Sequence, residues 1–487
     1  MKNLKGGDKL NPKLLWKNFD NILGIPHPST EESELAEFIY QFGLNLGLET
    51  VKDNIGNVII RKPASSPEFA NKKMATLQSH IDMVPQKAEG SKHVFEKDPI
   101  KAYVDGNFVK ADGTTLGADN CIGVAAMMAI LESKDLEHGP IESFFTVDEE
   151  TGMTGVTELK KDTLKGNILL NLDSEEEGEI CIGCAGGVDT EVKFDYEKEC
   201  VLDDTVAYKL TFEGMRGGHS GCNIGEYRAN AIKLMSRYLW NIRDLFEFDI
   251  SEINGGTLRN VIPSKCELTI IVPTEEIDKL LESVKSFLSV VKEEYRFADP
   301  NLNLVVAETK LPGHCIDRLL IDDIVNAIYG CPNGVLRMDD NITTLVETSS
   351  NIGVIATLED AITILMLQRS SVNSCRDAAA NSIQAVFELA GADEIVQSGA
   401  YPGWVPNVSS HVLITLKDTY KELFGKDALI SAIHAGLECA LIGEKYPEMD
   451  MISFGPTILD AHSINERVDI ESTEKFWQLL CRVLKNI

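Results

Sequence analysis

The sequence predicts an α/β domain with a mostly parallel central sheet, interrupted by an inserted α+β domain. Three observations carry this. Short β-rich runs alternate with helix-like segments over the first 186 residues. The glycine pair Gly186-Gly187 then opens a region of alternating strands and long amphipathic helices. After Ala400-Tyr401-Pro402-Gly403-Trp404 the first pattern resumes. The expected division is 1–186 and 400–487 for the split first domain, and 187–399 for the insertion.

In order, apolar spacing predicts helices over Leu14 to Leu23 and Glu31 to Leu46, with Ser29-Thr30-Glu31-Glu32 as capping chemistry for the second. Strands follow at Asn57 to Arg61, Met74 to Ser79, Ser143 to Val147 and Ile168 to Leu172. Cys121 to Glu132 is apolar almost all round, which predicts a buried helix. The insertion carries strands Val188 to Phe194, Ala207 to Glu213 and Cys266 to Val272, and helices Arg228 to Leu245 and Glu276 to Glu294. A helix at Ser410 to Phe424, a strand at Asp450 to Phe454 and a helix at Thr473 to Leu484 complete the first domain.

Composition narrows the function classes. The 487 residues carry a net charge of −30, which repels phosphate backbones and anionic membranes. Nucleic acid and membrane partners are therefore not expected. Eleven thinly spread cysteines do not form a disulfide framework, and the lone pair Cys181 and Cys184 reads as two buried thiols. The Lys- and Gly-rich start has no apolar h-region, and no apolar run approaches a membrane span. A cytoplasmic location is expected.

Acidic and histidine groups recur where an expected strand ends or a helix begins: His80-Ile81-Asp82, Gly117-Ala118-Asp119-Asn120, Asp148-Glu149-Glu150-Thr151-Gly152 and Asp173. His462 follows the strand Asp450 to Phe454. Ligands of an open α/β sheet bind at the carboxyl ends of its strands, so these groups should converge. Taken singly, Asp119 reads as an N-cap, each histidine as a hydrogen-bonded partner, and Glu149-Glu150 as surface charge. Glu175-Glu176-Glu177 reads as a solvated acidic turn. Together, two imidazoles and three carboxylates without thiolates suit a divalent pair, most simply two Zn²⁺, with Mn²⁺ or Co²⁺ as substitutes.

These motifs, with Leu172-Asp173 and Ala461-His462-Ser463, resemble those of the dinuclear-zinc M20 metallopeptidases. Leu23-Gly24-Ile25-Pro26-His27-Pro28-Ser29, the stretch from Met338-Asp339-Asp340 to Glu347-Thr348-Ser349-Ser350-Asn351, and Gly455-Pro456-Thr457-Ile458 are similar to the aminoacyl-histidine dipeptidase (Xaa-His dipeptidase, peptidase D) branch. The resemblance implies a zinc-exopeptidase-like catalytic domain with an inserted lid. Asp119 would bridge two zincs, His80 and Asp173 would complete one, and Glu150 and His462 the other. Glu149 would be the general base on the bridging water, and Asp82 would orient His80.

In the insertion, Met215-Arg216-Gly217-Gly218-His219-Ser220-Gly221 places a histidine in a glycine turn, and Asn260 and Arg369 lie in Thr257-Leu258-Arg259-Asn260-Val261-Ile262-Pro263 and Gln368-Arg369-Ser370-Ser371. By the same resemblance, His219 would stabilise the oxyanion, while Asn260 and Arg369 would hold substrate polar groups and carboxylate. Domain closure would complete the site. The expected activity is hydrolysis of unblocked dipeptides, Xaa-His (carnosine-like) among them. The alternatives are an N-acyl amino acid amidohydrolase, a tripeptidase or a non-catalytic metal-binding homologue. Family members commonly dimerise, so a homodimer through edge strands of the insertion stays open.

Overall fold

The computed structural model describes residues 1–487 and divides into two compact units. Unit 1 comprises Met1–Gly183, Pro406–Ala432 and Leu437–Ile487; unit 2 comprises Cys184–Val405 and Ile433–Gly436.

Unit 1 is built on an eight-stranded sheet. Its centre is parallel: Ile141–Thr146, Ala75–His80, Ile168–Asn171 and Asp450–Ser453 lie side by side. Every residue of the first three is buried, because helices cover both faces of a parallel sheet. Flanking strands run antiparallel, Val58–Lys62 on Ile141–Thr146 and Glu179–Cys184 on Asp450–Ser453. The helix Ala118–Glu132 has no polar face and is buried from Ala118 to Leu131. Helix Lys13–Leu23 packs on it with Leu15, Trp16, Phe19 and Ile22 buried. No helix is long and apolar enough to cross a membrane. Cys181 and Cys184 are both buried, as expected.

A second, five-stranded sheet aims one site residue. Ile458–Leu459 and Arg467–Asp469 pair as an antiparallel hairpin, and His462 sits in its loop with a left-handed φ of 60°. Beyond the hairpin, the Asp469 carboxylate accepts the Ser472 N–H at 2.7 Å and starts the terminal helix Ile470–Asn486.

Two local expectations change. No side chain caps helix Ser33–Asn45. Ser29 instead donates its hydroxyl to Asp82 Oδ2 at 2.9 Å, and Glu32 accepts the Thr30 N–H at 2.7 Å. The acidic run is not wholly solvated either. Glu177 is half-buried and accepts the Tyr420 hydroxyl at 2.6 Å, with Lys475 3.8 Å away.

Unit 2 is α+β. Its main sheet is antiparallel, in the order Asn303–Thr309, Thr205–Glu213, Cys266–Pro273, Asp249–Gly255, Val346–Thr357, Ala361–Ser370, Gly186–Asp195, Glu394–Tyr401. Helices Ala231–Ile242, Ile277–Glu294, Arg318–Gly330 and Asn373–Leu389 pack on it over a core that includes Phe194, Phe212, Tyr238, Phe287 and Phe387. The alternation Val192, Phe194 and Leu210, Phe212 points these side chains inward, as period-2 patterning requires.

Candidate active site

The parallel strands of unit 1 deliver their chemistry at one end. His80 is the last residue of Ala75–His80, Asp173 lies two residues past Ile168–Asn171, and Glu149-Glu150 begin the turn after Ile141–Thr146. Asp119 begins the buried helix, after Gly117 in the left-handed region (φ 71°).

The structure brings all five expected ligand residues together as two triads that share Asp119. Asp119 Oδ1 lies 3.2 Å from His80 Nε2, whose other neighbour is Asp173 Oδ1 at 3.3 Å. Asp119 Oδ2 lies 3.1 Å from His462 Nε2, which has Glu150 Oε1 at 2.9 Å. The His80 side chain is 1% exposed and that of His462 51%, so one triad is enclosed and the other opens outward. His80 Nδ1 faces Asp82, 3.1 Å from its carbonyl oxygen and 3.2 Å from Oδ1, which places the proton on Nδ1 and leaves Nε2 as a ligand atom.

Charge is unbalanced here. Burial lowers the His80 pKa, but Asp173, Asp119 and Asp82 outweigh it and hold His80 well above the usual range. The Asp119 and Glu150 carboxylates beside its Nε2 push His462 up to about 11. Burial raises Asp173 to about 6 and, reinforced by Asp173, Glu438 and Glu150, lifts Glu149 well above an ordinary carboxylate. Asp119 stays low because both histidines outweigh its burial. Buried Asp82 is held near 2 by His80, the Glu149 N–H and the Ser29 hydroxyl.

This donor set fits divalent cations. Glu150 Oε1 and Asp173 Oδ1 are buried and accept no hydrogen bond, although each lies beside an imidazole nitrogen. Two atoms each roughly 2.0–2.1 Å from one tetrahedral Zn²⁺ stand about 3.3 Å apart, close to the separations seen. Three carboxylates around two imidazoles leave negative charge that a cation offsets.

Three roles escaped the sequence. Asp82 also accepts the N–H groups of Glu149 and Glu150, at 3.1 and 3.2 Å, so one carboxylate fixes His80 and the acidic turn. Glu466 gathers the N–H groups of Leu116, Gly117, Ala118 and Asp119 at 2.7, 3.0, 2.7 and 3.3 Å. Nothing in its spacing from His462 announces this. Glu438 is fully buried and accepts Gln78 Nε2–H and Thr146 Oγ–H, and burial raises it to about 8. Gln78 also accepts Asn171 Nδ2–H, and Asn171 accepts Ser453 Oγ–H. A polar layer thus crosses four strands just below the ligands. Polar residues at strand positions that should be apolar were its only sequence signal.

In unit 2, His219 lies on the short pair Gly218–His219 with Val261–Ile262. Its Nδ1 accepts the N–H groups of Gly221 and Cys222 at 3.3 and 3.1 Å, leaving Nε2 the protonated nitrogen. Burial and the Arg369 charge lower its pKa. Arg369 Nη2 is 3.4 Å from His219 Nε2, which brings the two side chains together without a hydrogen bond, since both nitrogens are donors in this tautomer. Asn260 meets the neighbouring turn through its main chain, its carbonyl accepting the Ser220 N–H at 2.8 Å.

The model of peptidase family M20/M25/M40 matches residues 76–486. Cytosol non-specific dipeptidase of Escherichia coli (strain K12) is 42% identical over 479 residues, 98% of each chain. The crystal structure of aminoacylhistidine dipeptidase from Vibrio alginolyticus matches with a TM-score of 0.93 at 44% identity, over 99% of this chain and 98% of that one. Aminopeptidase PepT from Bacillus cereus ATCC 10987, 17% identical over 98% of each chain, shares the fold at a TM-score of 0.57. The chain belongs to peptidase family M20/M25/M40, hydrolases of peptide bonds.

Proposed function

We propose that the chain is a cytoplasmic, zinc-dependent dipeptidase that hydrolyses unblocked dipeptides, Xaa-His among them. Relatives named as a cytosol dipeptidase and an aminoacylhistidine dipeptidase support the class. The carrying observation is the division of the Asp119 oxygens between His80 and His462. His80 and Asp173 would hold one Zn²⁺, Glu150 and His462 the other, and Asp119 both. When bound, such a pair lowers the pKa of a shared water and polarises the scissile carbonyl.

The remaining steps belong to side chains. Glu149 takes the proton of the attacking water and passes it to the leaving amine. Asp82 keeps His80 in its Nδ1–H form and steadies the Glu149 turn. His219 donates Nε2–H to the developing oxyanion, Arg369 grips the substrate carboxylate, and Asn260 holds a substrate polar group. The net charge of −30 favours the approach of neutral and cationic peptides over anionic ones, as a salt-screened rate effect.

The test is turnover of β-alanyl-histidine by zinc-reconstituted protein, beside the N-acetylated peptide and a chelated sample. Chelator-sensitive cleavage of the free peptide alone is expected. Cleavage of the acetylated peptide instead would make the protein an amidohydrolase.

A further inference from the structure

Arg369 has a neighbour that the proposed reaction does not use. Across unit 2, Ser349, Arg369, Gly187 and Tyr401 occupy one row on four adjacent strands: Ser349 pairs with Arg369, Arg369 with Gly187, and Gly187 with Tyr401. Side chains in one row share a face of the sheet. Arg369 and Tyr401 stand two strands apart, roughly 9–10 Å along the row. They meet because the residue between them has no side chain. Arg369 Nη1 donates to Tyr401 Oη at 2.9 Å. A Cβ on Gly187 would lie 2.7–2.8 Å from Tyr401 Oη, Cζ and Cε1, so the ring occupies the space above the glycine.

The row is a built feature. Between the pairs Gly187–Tyr401 and Asp189–Ser398 one strand advances two residues and the other three. That bulge contains Gly399 at φ 60°. Without the extra residue Tyr401 would face the opposite side of the sheet. Arg376 Nη1 donates to the Tyr401 carbonyl at 2.6 Å and pins the end of the strand.

The tether leaves a defined part of the guanidinium for a ligand. Arg369 is 5% exposed, and its buried Nε–H has no partner. Nε–H and the Nη2–H beside it form one planar edge, the fork that matches a carboxylate. A buried cationic N–H left unmade costs stability, which a bound carboxylate recovers.

We infer that Tyr401 is a positioning residue that holds Arg369 by Nη1 across Gly187, so that its Nε–Nη2 edge is presented to the carboxylate of the dipeptide. This rests on the proposed grip of Arg369 on that carboxylate. Tyr401 therefore determines selectivity for a free carboxyl terminus.

The experiment compares β-alanyl-histidine with its C-terminal amide on zinc-loaded wild type, Tyr401→Phe, Gly187→Ala and Arg369→Lys, taking kcat and KM, or Ki where turnover is too slow. Tyr401→Phe keeps the ring and should raise KM for the free peptide roughly tenfold, a change larger than that in kcat. The amide should lose less than twofold. Gly187→Ala, which displaces the ring, should reproduce this pattern and add nothing in the Tyr401→Phe background. Equal losses on peptide and amide, or a loss confined to kcat, would overturn the role of Tyr401. Arg369→Lys should abolish the preference for the free carboxylate. If it does not, the carboxylate grip itself fails and this inference with it. If it does while Tyr401→Phe leaves the preference intact, only the inference fails.

Discussion

Glu149 and Glu150 are adjacent, yet their surroundings differ. Glu150 stands 2.9 Å from His462, whereas Glu149 is raised by burial and by neighbouring carboxylates and has no imidazole at that distance. Glu149→Gln should retain both metal equivalents and lose ~10²–10⁴-fold in kcat, checked by elemental analysis beside turnover. His462→Ala should bind one equivalent fewer; full metal content would remove His462 from the ligand set. Glu466 is a separate case, because its carboxylate satisfies four main-chain donors around Asp119. Glu466→Ala should weaken metal binding on the order of 10–100-fold, read by competition with a chromogenic chelator. Unchanged affinity would make Glu466 a purely structural anchor. Four of the five candidate ligand residues were legible because each sits at the end of a strongly patterned strand or the start of a helix, whereas His462, in a hairpin loop, stood out by its Ala461-His462-Ser463 motif. Glu466 was not, since one acid in a hairpin carries no periodicity.

At the scale of elements, apolar pattern carried most of the information. Helices Ile277–Glu294 and His411–Phe424 differ from their expected bounds by one residue at the start. The expected strand Cys266 to Val272 extends only to Pro273. Patterns with a polar purpose read less well. Ser29 looked like a cap and serves Asp82 instead, because a buried carboxylate needs a donor more than a solvated helix end does. Helix Ala231–Ile242 was expected to start at Arg228, but Asn230 sets the boundary. Its Oδ1 accepts the N–H groups of Ile232 and Lys233 at 3.0 and 3.1 Å, and its Nδ2 donates to the Ile352 carbonyl at 2.9 Å. Asn230→Ala removes the cap and leaves that buried carbonyl short of a donor. It should cost about 2–3 kcal/mol, seen as a lower urea midpoint with unchanged m-value. A loss under about 0.5 kcal/mol would mean the helix start is set elsewhere.

For the molecule as a whole, net charge and the site act in the same direction. At −30 the chain repels itself, and unit 1 concentrates carboxylates whose burial raises them: Asp173 to about 6, Glu466 to about 7, and Glu438 to about 8. A carboxylate raised in the folded state binds more protons there than in the unfolded chain. Its contribution is present below the ordinary value, 3.8 for Asp and 4.5 for Glu, and is lost as pH rises through the folded value. His462, raised to about 11, has the same sign at higher pH. Asp82, held near 2, has the opposite sign, but its window closes below pH 4. Metal-free protein should therefore lose thermal stability steadily from about pH 5 to about pH 8. Divalent cations take over the role of the lost protons, and they bind deprotonated ligands. At 100-fold excess over Kd their stabilisation is about 2.7 kcal/mol, and Kd itself tightens with pH. Calorimetry of chelated and zinc-loaded samples at fixed metal should show the gap in Tm widening from about pH 5.5 to about pH 8. A gap that stayed constant would mean that the buried acids of unit 1 titrate independently of the metals.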